Sequence, residues 1–464
     1  MFFISFPQDA LRLRRKTNTN CMSAELKRTL TLFSLVMIAV GSSIGSGIFR
    51  APGSIVAELH DPWLVIGIWV LGGIVVLTGA LTFAEMGGMF PGAGGLYVYL
   101  REAYGDLAGF LFGWFILFVS TSGAIAALAS VCAEHLLYLF GVSRDSGWTV
   151  PLAGAIIVFL TVINSFGVSI GGRMASVFTL SKLMGLALII IVGWFLANAM
   201  IMQNNYTGTF AQTPPPNFWG GFATAFVGVL FSYGGWQHVA FLAGETKDPQ
   251  RTVPRAMILG TIIVTAVYVL ANTAYMRLLP LEQIATTKTI AADALNTQFS
   301  WGGPLMAFLI ALSTFGTTGI YCMTAPRMYY AMAKDGIFFE KLAEIHPKYR
   351  TPINAMALQA AWALVLLLVW GTFGNLIDYV TFIDWIGQVM VASAIFVFRK
   401  NRPDAPRTYR TAWYPLPPLI FIGLSAVFIV LQLWNSPVKS GAGLLVVGIG
   451  WLAYHFYFKP RKKG

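Results

Sequence analysis

The sequence predicts an all-α integral membrane protein with twelve transmembrane helices, and three observations support this fold class. Of its 464 residues, 56% are hydrophobic and 11% are charged, whereas soluble globular proteins usually carry about 25% charged residues. Apolar segments near the ~20 residues that a spanning helix needs recur along the chain. Lysine and arginine are concentrated in alternate loops, as in multi-pass membrane proteins.

The twelve helices are expected in the segments that are richest in apolar residues and lowest in charge. Their predicted spans are 30–58, 62–88, 105–140, 148–170, 174–200, 217–243, 254–279, 301–332, 352–371, 376–398, 414–435 and 440–458. We refer to them as segments 1 to 12.

The basic residues also predict the orientation. With the N-terminus in the cytoplasm, 25 of the 31 lysine and arginine residues lie on the cytoplasmic side, which is the asymmetry of the positive-inside rule. We therefore expect a protein of the plasma (inner) membrane with both termini cytoplasmic. The net charge of +12 is then a topology signal, and no nucleic-acid partner is expected. Residues 1–28 form a basic arm, in which either Met1 or Met22 is the start.

A break in segment 1 is the most informative local feature. Residues 40–49 read VGSSIGSGIF, and Gly41, Gly45 and Gly47 each weaken a helix by roughly 1 kcal/mol relative to alanine. The serines between them compete for backbone hydrogen bonds. An opened turn at membrane depth is tolerated only where it is buried in protein or lines a polar cavity. The stretch therefore predicts an unwound helix at a binding site.

A second break lies in segment 6, where residues 231–236 read FSYGGW. Segments 1 and 6 are five apart and so enter the membrane from opposite sides, which predicts an inverted repeat with a site between the two breaks. Opened ends offer N–H groups to an anion and carbonyl groups to a cation. A zwitterionic amino acid matches that pair. The alternative is that the glycines only allow close helix packing.

These stretches, together with GETKDPQRTVPRA at residues 244–256, resemble the amino acid, polyamine and organocation superfamily, in particular its L-type amino acid transporter group. The resemblance covers about residues 30–400. It implies a leucine-transporter-like fold of five plus five helices with helices 1 and 6 unwound. The first repeat would be 29–200, the second, inverted repeat 201–400, and residues 401–464 two accessory helices and a basic cytoplasmic tail.

The resemblance also implies a substrate site. Its expected residues are Ser43, Ile44, Gly45, Ser46, Gly47, Phe231, Gly234, Trp236 and Gln237. The N–H groups of Gly45, Ser46 and Gly47 would bind the substrate carboxylate, and carbonyl groups of both breaks would receive the α-ammonium. Trp236 and Gln237 would face the side chain. Phe231 would be an aromatic gate that excludes water on closure.

Lys182 is the one charge predicted deep in the membrane, about 13 Å along segment 5 from Arg173 at ~1.5 Å per residue. Charges at that depth are costly and usually functional. In the resembled group such a lysine replaces the sodium ion that related transporters bind, with Ser313 and Thr314 as hydroxyl neighbours. We therefore expect sodium-independent transport. A lysine that carries a proton remains an alternative, as does a purely structural role.

The expected function is exchange of neutral L-amino acids by alternating access. The middles of segments 1, 3, 6 and 8 carry no acid that could pair with a cationic substrate. Because Asp384 lies in segment 10, a cationic amino acid or a polyamine is an alternative substrate. Proton-coupled symport is an alternative transport mechanism. A membrane enzyme or respiratory subunit is the alternative of a different class, but it needs clustered acids, histidines or a nucleophile with its base. A passive channel is a further alternative.

The expected partners are the substrate and the lipid bilayer, with no cofactor and no metal. The loop at 141–148 lacks the cysteine that joins the group's eukaryotic members to a single-span glycoprotein, so no disulfide-linked heavy subunit is expected. We expect a monomer or homodimer. Glu85 and Glu245 are expected at solvated cytoplasmic helix ends, with Lys247, Arg101 or Arg173 as possible ion-pair partners.

Overall fold

The computed structural model describes residues 25–143, 146–212, 217–370, 373–435 and 437–459. Most of the predicted basic arm at 1–28, including both candidate start residues, lies outside these ranges. So do the last five residues of the predicted cytoplasmic tail. The description that follows concerns the ranges above.

The described residues are mainly helical, and their one β-bridge is an isolated parallel contact between Leu30 and Thr246. The helices are α1 Leu32–Ser43, α2 Gly47–Leu59, α3 Pro62–Met89, α4 Leu96–Tyr104, α5 Asp106–Phe115, α6 Thr121–Leu139, α7 Thr149–Ser165, α8 Val168–Phe195, α9 Ala199–Thr207, α10 Thr209–Gln212, α11 Phe218–Tyr233, α12 His238–Phe241, α13 Pro249–Leu278, α14 Leu281–Thr286, α15 Ile290–Asn296, α16 Gly302–Thr324, α17 Pro326–Lys334, α18 Ile353–Trp370, α19 Phe373–Asn401, α20 Leu416–Asn435 and α21 Pro437–Ala453. A π-helical turn at Ile116–Ser120 joins α5 to α6, and a second follows α21.

Six helical stretches in the described ranges are long and apolar enough to cross a membrane. They are Pro62–Met89, Asp106–Leu139, Val168–Phe195, Pro249–Leu278, Gly302–Lys334 and Leu416–Trp434. The pair α1 and α2, bent by 40° at its break, makes a seventh if it is taken as one span. An all-α architecture with several helices long and apolar enough to cross a membrane is therefore confirmed.

The helix α1 lies inside the bundle. It packs against α8, α13 and α16, and every residue from Leu35 to Ser43 is buried. A helix that is apolar on all sides belongs in the interior of a large helical protein. Residues at the end of α1 can therefore open toward protein groups without meeting lipid.

Capping residues set where several helices begin. The side chain of Asp61 accepts a hydrogen bond from the Leu64 N–H at 2.9 Å, and Pro62 follows it at the first helical position of α3. Asn217 caps α11 in the same way through the Gly220 N–H at 3.1 Å. An N-cap side chain satisfies one of the N–H groups that a helix start leaves unpaired.

A buried ion pair joins α17 to the segment that follows α12. Arg327 donates from Nε and Nη2 to the two carboxylate oxygens of Glu245 at 2.7 and 3.0 Å, and both side chains are fully buried. The Glu245 carbonyl oxygen also accepts the N–H groups of Thr29 and Leu30. The chain just before α1 is thus attached to the chain just after α12.

A second carboxylate ties the end of α3 to the end of α19 and to the loop after it. Glu85 accepts two hydrogen bonds from Arg399, at 2.7 and 3.1 Å, and one from the Thr411 N–H at 2.8 Å. Arg407 Nε lies 3.0 Å from the same carboxylate. The expectation of solvated ends for Glu85 and Glu245, or of pairing with Lys247, Arg101 or Arg173, was therefore wrong. Their true partners come from segments more than eighty residues away in sequence, which local sequence patterns do not indicate.

Glu245→Gln is expected to lower the thermal unfolding temperature of the purified protein clearly, because it leaves the Arg327 guanidinium buried without its counter-charge. The loss of one member of such a pair costs about 3–5 kcal/mol. The measurement is thermal unfolding in detergent, with Glu282→Gln, an exposed carboxylate on α14, as the matched control. The double variant Glu245→Gln with Arg327→Met should recover part of the loss. Equal unfolding temperatures for Glu245→Gln and Glu282→Gln would show that the pair does not hold these segments together.

Candidate functional site

The first predicted break separates α1 from α2 at Ile44–Ser46. The Ile44 N–H still bonds to the Val40 carbonyl at 2.8 Å, and the Gly45 N–H turns back to the Ser43 carbonyl at 2.9 Å. The N–H groups of Ser46 and Gly47 have no hydrogen-bond partner among the described residues, and the buried hydroxyl of Ser46 has none either. The start of α2 therefore offers unpaired donors at a helix N-terminus, where an anion is favoured.

The second break lies between α11 and α12, at Gly234–Gln237. Gly235 has φ +110°, a region that side chains disfavour, and a Cβ there would lie 3.0 Å from the backbone nitrogen of Ser43. Gly47 meets the second break in a similar way, since its Cβ would lie 2.8 Å from the Ser232 Cα. The glycines thus allow the two unwound stretches to touch backbone to backbone.

Tyr268 of α13 also joins the two breaks. Its buried hydroxyl lies 2.9 Å from the Ser43 carbonyl oxygen and 2.8 Å from the Ser232 carbonyl oxygen, so its single proton serves one of the two at a time. The Ser42 hydroxyl adds a contact of 2.8 Å to the Gly235 carbonyl. Carbonyl groups that the unwound helices release are therefore satisfied by protein groups.

Lys182 of α8 reaches the first break from the other side. Its ammonium donates to the carbonyl oxygens of Gly41 at 2.9 Å and Ile44 at 2.6 Å, and to the Thr317 hydroxyl at 2.8 Å. Lys182 is 1% exposed, and three acceptors use all three of its N–H donors. The positive charge therefore lies between α1 and α16, against the C-terminal end of α1.

The hydroxyls predicted beside this lysine take different places. Ser313 donates to the Ile44 carbonyl at 3.3 Å, so it shares an acceptor with Lys182. Thr314 donates to carbonyls of its own helix, Ile310 and Ala311. The hydroxyl that contacts the ammonium is that of Thr317, one helical turn beyond Ser313.

Between the breaks lies a small cavity, which we call the central cavity. It is lined by the first-break residues from Ser42 to Gly47 except Ile44, by Phe231, Ser232 and Gly234 of the second break, by four small or aliphatic residues of α6 (Gly123, Ala124, Ala127 and Leu128), and by Thr317 and Tyr321 of α16. No charged side chain is among these residues. Its polar groups are mainly backbone and hydroxyl groups, and its far wall is apolar.

A second cavity, the side cavity, shares Ala124, Phe231, Gly234 and Tyr321 with the central cavity. Phe231 and Tyr321 thus stand between the two spaces. The side cavity contains one carboxylate, that of Asp384, which accepts hydrogen bonds from Ser120 at 3.2 Å and Gln388 at 2.6 Å. The described residues therefore place an acid next to the central cavity.

The remaining predicted site residues lie around the side cavity or behind it. Gln237 lines the side cavity and accepts the Gly235 N–H at 3.0 Å through its side chain. The next residue along the chain, His238, also lines the side cavity and forms a 2.6 Å hydrogen bond with the Thr324 hydroxyl. Trp236 lines neither cavity and packs on Phe83 of α3, with ring centroids 5.1 Å apart. In this conformation Trp236 is thus a packing residue of the second break.

Sequence reasoning missed three residues of this site: Tyr268, Thr317 and Tyr321. Each is an uncharged polar residue within a long apolar segment, where nothing in the local pattern shows which face meets the break. Thr317 could have been found by extending the search from Ser313 by one helical turn, because residues four apart share a helix face. Tyr268 had no comparable signal.

Comparison with known proteins identifies the class of this helical bundle with two broken helices. A sequence profile of the amino acid permease family matches residues 30–454. The chain therefore belongs to the amino acid permease family. The predicted resemblance to L-type transporters and the prediction of a transporter and not an enzyme are confirmed by this match and by the relatives below.

Three curated relatives illustrate the similarity. The serine/threonine exchanger SteT of Bacillus subtilis is 34% identical over 94% of this chain and 98% of its own length. The b(0,+)-type amino acid transporter 1 of Mus musculus is 30% identical over 98% of this chain and 94% of its own length. The human large neutral amino acids transporter small subunit 2 is 32% identical over 94% of this chain and 82% of its own length.

Tyr268→Phe is expected to destabilise the protein, because carbonyls at both breaks lose their shared donor, at a cost of about 1–3 kcal/mol. Tyr275→Phe is the matched control: Tyr275 lies two turns further along α13, is equally buried, and its hydroxyl has no hydrogen-bond partner among the described residues. Thermal unfolding should show a lower midpoint for Tyr268→Phe and an unchanged or higher one for Tyr275→Phe. Equal shifts in the two variants would contradict the joining role of Tyr268.

Proposed function

We propose that the protein is a sodium-independent exchanger of neutral L-amino acids that works by alternating access around the central cavity. The proposal includes twelve transmembrane helices in a five-plus-five inverted repeat, at 29–200 and 201–400, with two accessory helices after it. It also includes a plasma-membrane location with cytoplasmic termini, and a monomer or homodimer without a disulfide-linked heavy subunit.

The substrate carboxylate is proposed to bind at the start of α2. The unpaired N–H groups of Ser46 and Gly47 and the unpaired Ser46 hydroxyl supply three donors there. Buried polar groups without partners are rare in proteins, and they favour a ligand that would satisfy them. The Gly45 N–H, expected for the same role, bonds to Ser43 in this conformation, so it would join only if that turn opens.

The α-ammonium is proposed to bind at the end of α11. Helix C-termini carry a partial negative charge, and the Gly234 carbonyl lies just past this end. The Phe231 carbonyl, expected to share this role, accepts the Gly234 N–H at 3.2 Å in this conformation. The carbonyls of Ser43 and Ile44, expected to share this role, already accept Tyr268 and Lys182. The ammonium is therefore assigned mainly to the second break. Phe231, between the two cavities, is proposed as the gate.

Sodium independence rests on the observation that carries the whole proposal: the Lys182 ammonium donates to oxygens of Gly41, Ile44 and Thr317. Oxygen ligands of this kind could otherwise hold a metal cation. With the ammonium in place they are occupied, and a sodium ion beside it would face a like charge at short range. The cation at this site is therefore a side chain of the protein itself.

Neutral specificity is inferred from the lining of the central cavity, where the α6 wall of small and aliphatic residues faces the breaks and no acid is present. The names of the relatives point the same way, since they include a serine/threonine exchanger and a large neutral amino acids transporter. A second candidate, transport of cationic amino acids or polyamines, is favoured by Asp384 in the side cavity. Proton-coupled symport, with Lys182 as the group that carries the proton, is a third candidate function.

The test is uptake of radiolabelled amino acids into proteoliposomes that are empty or preloaded, in sodium or choline buffer. We expect neutral amino acids to enter only preloaded vesicles, at equal rates in the two buffers. Uptake driven into empty vesicles by a pH gradient would replace exchange with proton symport. Preferential uptake of arginine would favour the cationic candidate, and strict sodium dependence would overturn the role of Lys182.

Lys182→Met is expected to reduce exchange by at least about tenfold, because it removes charge-assisted hydrogen bonds worth roughly 1.5–3 kcal/mol each from the first break. Lys288→Met, which removes an exposed lysine after α14, is the matched control and should exchange normally. Exchange is measured with preloaded proteoliposomes at equal protein content. Normal exchange by Lys182→Met would contradict the proposal that this ammonium replaces a bound cation.

A further inference from the structure

We propose a second binding site, for the anionic phosphate headgroup of a membrane lipid, in a groove beside the first turns of α13. The residues that the argument uses are Arg251, Arg255, Ile258, Leu259, Thr408 and Tyr409. We call it the α13 groove. It lies apart from the central and side cavities and shares no lining residue with them.

The positive charge of the α13 groove is not neutralised by the protein. Arg251 and Arg255 are one helical turn apart, both are exposed, and neither forms an ion pair with any residue in the described ranges. The nearby buried carboxylates are already paired, Glu85 with two other arginines and Glu245 with Arg327. Two guanidinium groups in one groove suit a phosphate, which they can bind through paired N–H donors.

The opposite wall of the groove adds a polar group in need of a partner. The Tyr409 hydroxyl oxygen is buried; the Ala412 backbone N–H approaches it, and its own O–H has no acceptor among the described residues. Thr408, next to it, donates to the Gln250 carbonyl at 2.6 Å and so holds this loop against α13. Tyr409 therefore lines the same groove as the two arginines, where a phosphate oxygen would supply the missing acceptor of its hydroxyl.

The groove continues into apolar surface, which favours a lipid over a free anion. Ile258 and Leu259 line it one turn beyond Arg255. Leu259 is 43% exposed, and Ile262 along the same membrane-crossing helix is 47% exposed. A headgroup bound by the arginines would thus place its acyl chains along α13. Arginines that end an apolar span lie at the depth of lipid headgroups.

The test is native mass spectrometry of the full-length protein in detergent, titrated with phosphatidylglycerol or phosphatidylcholine. We expect tighter binding of phosphatidylglycerol, weakened by about tenfold or more in Arg251→Gln with Arg255→Gln, since each basic residue near a lipid surface contributes about 1 kcal/mol. Tyr409→Phe should weaken it about fivefold through one lost hydrogen bond. The matched control is Lys334→Gln with Lys341→Gln, which removes two exposed charges elsewhere and should bind normally.

The other outcomes overturn the proposal in distinct ways. Equal weakening in the lysine control would make the preference a general charge effect. Displacement of the lipid by millimolar inorganic phosphate would make the groove a site for free anions, and equal affinity for the two lipids would remove the site altogether. Thermal unfolding of each variant in phosphatidylcholine shows whether it is folded. Since both arginines are exposed, their removal should leave that temperature unchanged.

Discussion

One constraint shapes this molecule: a helix that unwinds inside a membrane must find protein partners for the backbone groups that it releases. The ammonium of Lys182 meets that constraint at the end of α1, where it satisfies the carbonyls of Gly41 and Ile44 and also bonds to Thr317. Three elements, α1, α8 and α16, are thereby fixed around one charge. The charge itself is tolerable at that depth because three oxygens and the negative end of a helix surround it.

The same constraint couples the two breaks. Tyr268 and Ser42 bond across them, and Gly235 brings the second break against the backbone of the first. Beyond α12, a short 3₁₀ turn leads directly to Glu245, whose carbonyl binds the chain before α1 and whose carboxylate binds Arg327. The start of α1 and the end of the second break therefore form one mechanical unit.

Sequence alone predicted the features that carry a strong local signature. Glycine clusters predicted both breaks, and an isolated charge within an apolar segment singled out Lys182 as a functional residue. The sequence alone did not predict the residues that bond to the two breaks and to Lys182. Tyr268 and Thr317 are polar residues without charge in apolar helices, and the partners of Glu85 and Glu245 lie far away in sequence. Trp236 belongs to a stretch whose glycines were informative, but its ring turned toward Phe83 because packing with α3, and not the local pattern, decides its direction.

The proposed exchange mode is consistent with the covalent attachment of the cation. A transporter that binds sodium releases it with the substrate, so the sodium gradient drives uphill uptake. The Lys182 ammonium is covalently bound to the protein, so it can neither be released nor cross the membrane with the substrate. Under the proposed function it thus orders the first break without adding a gradient to the cycle. Unless the lysine gives up its proton, the energy for uphill uptake of one amino acid must come from the outward movement of another, which is exchange.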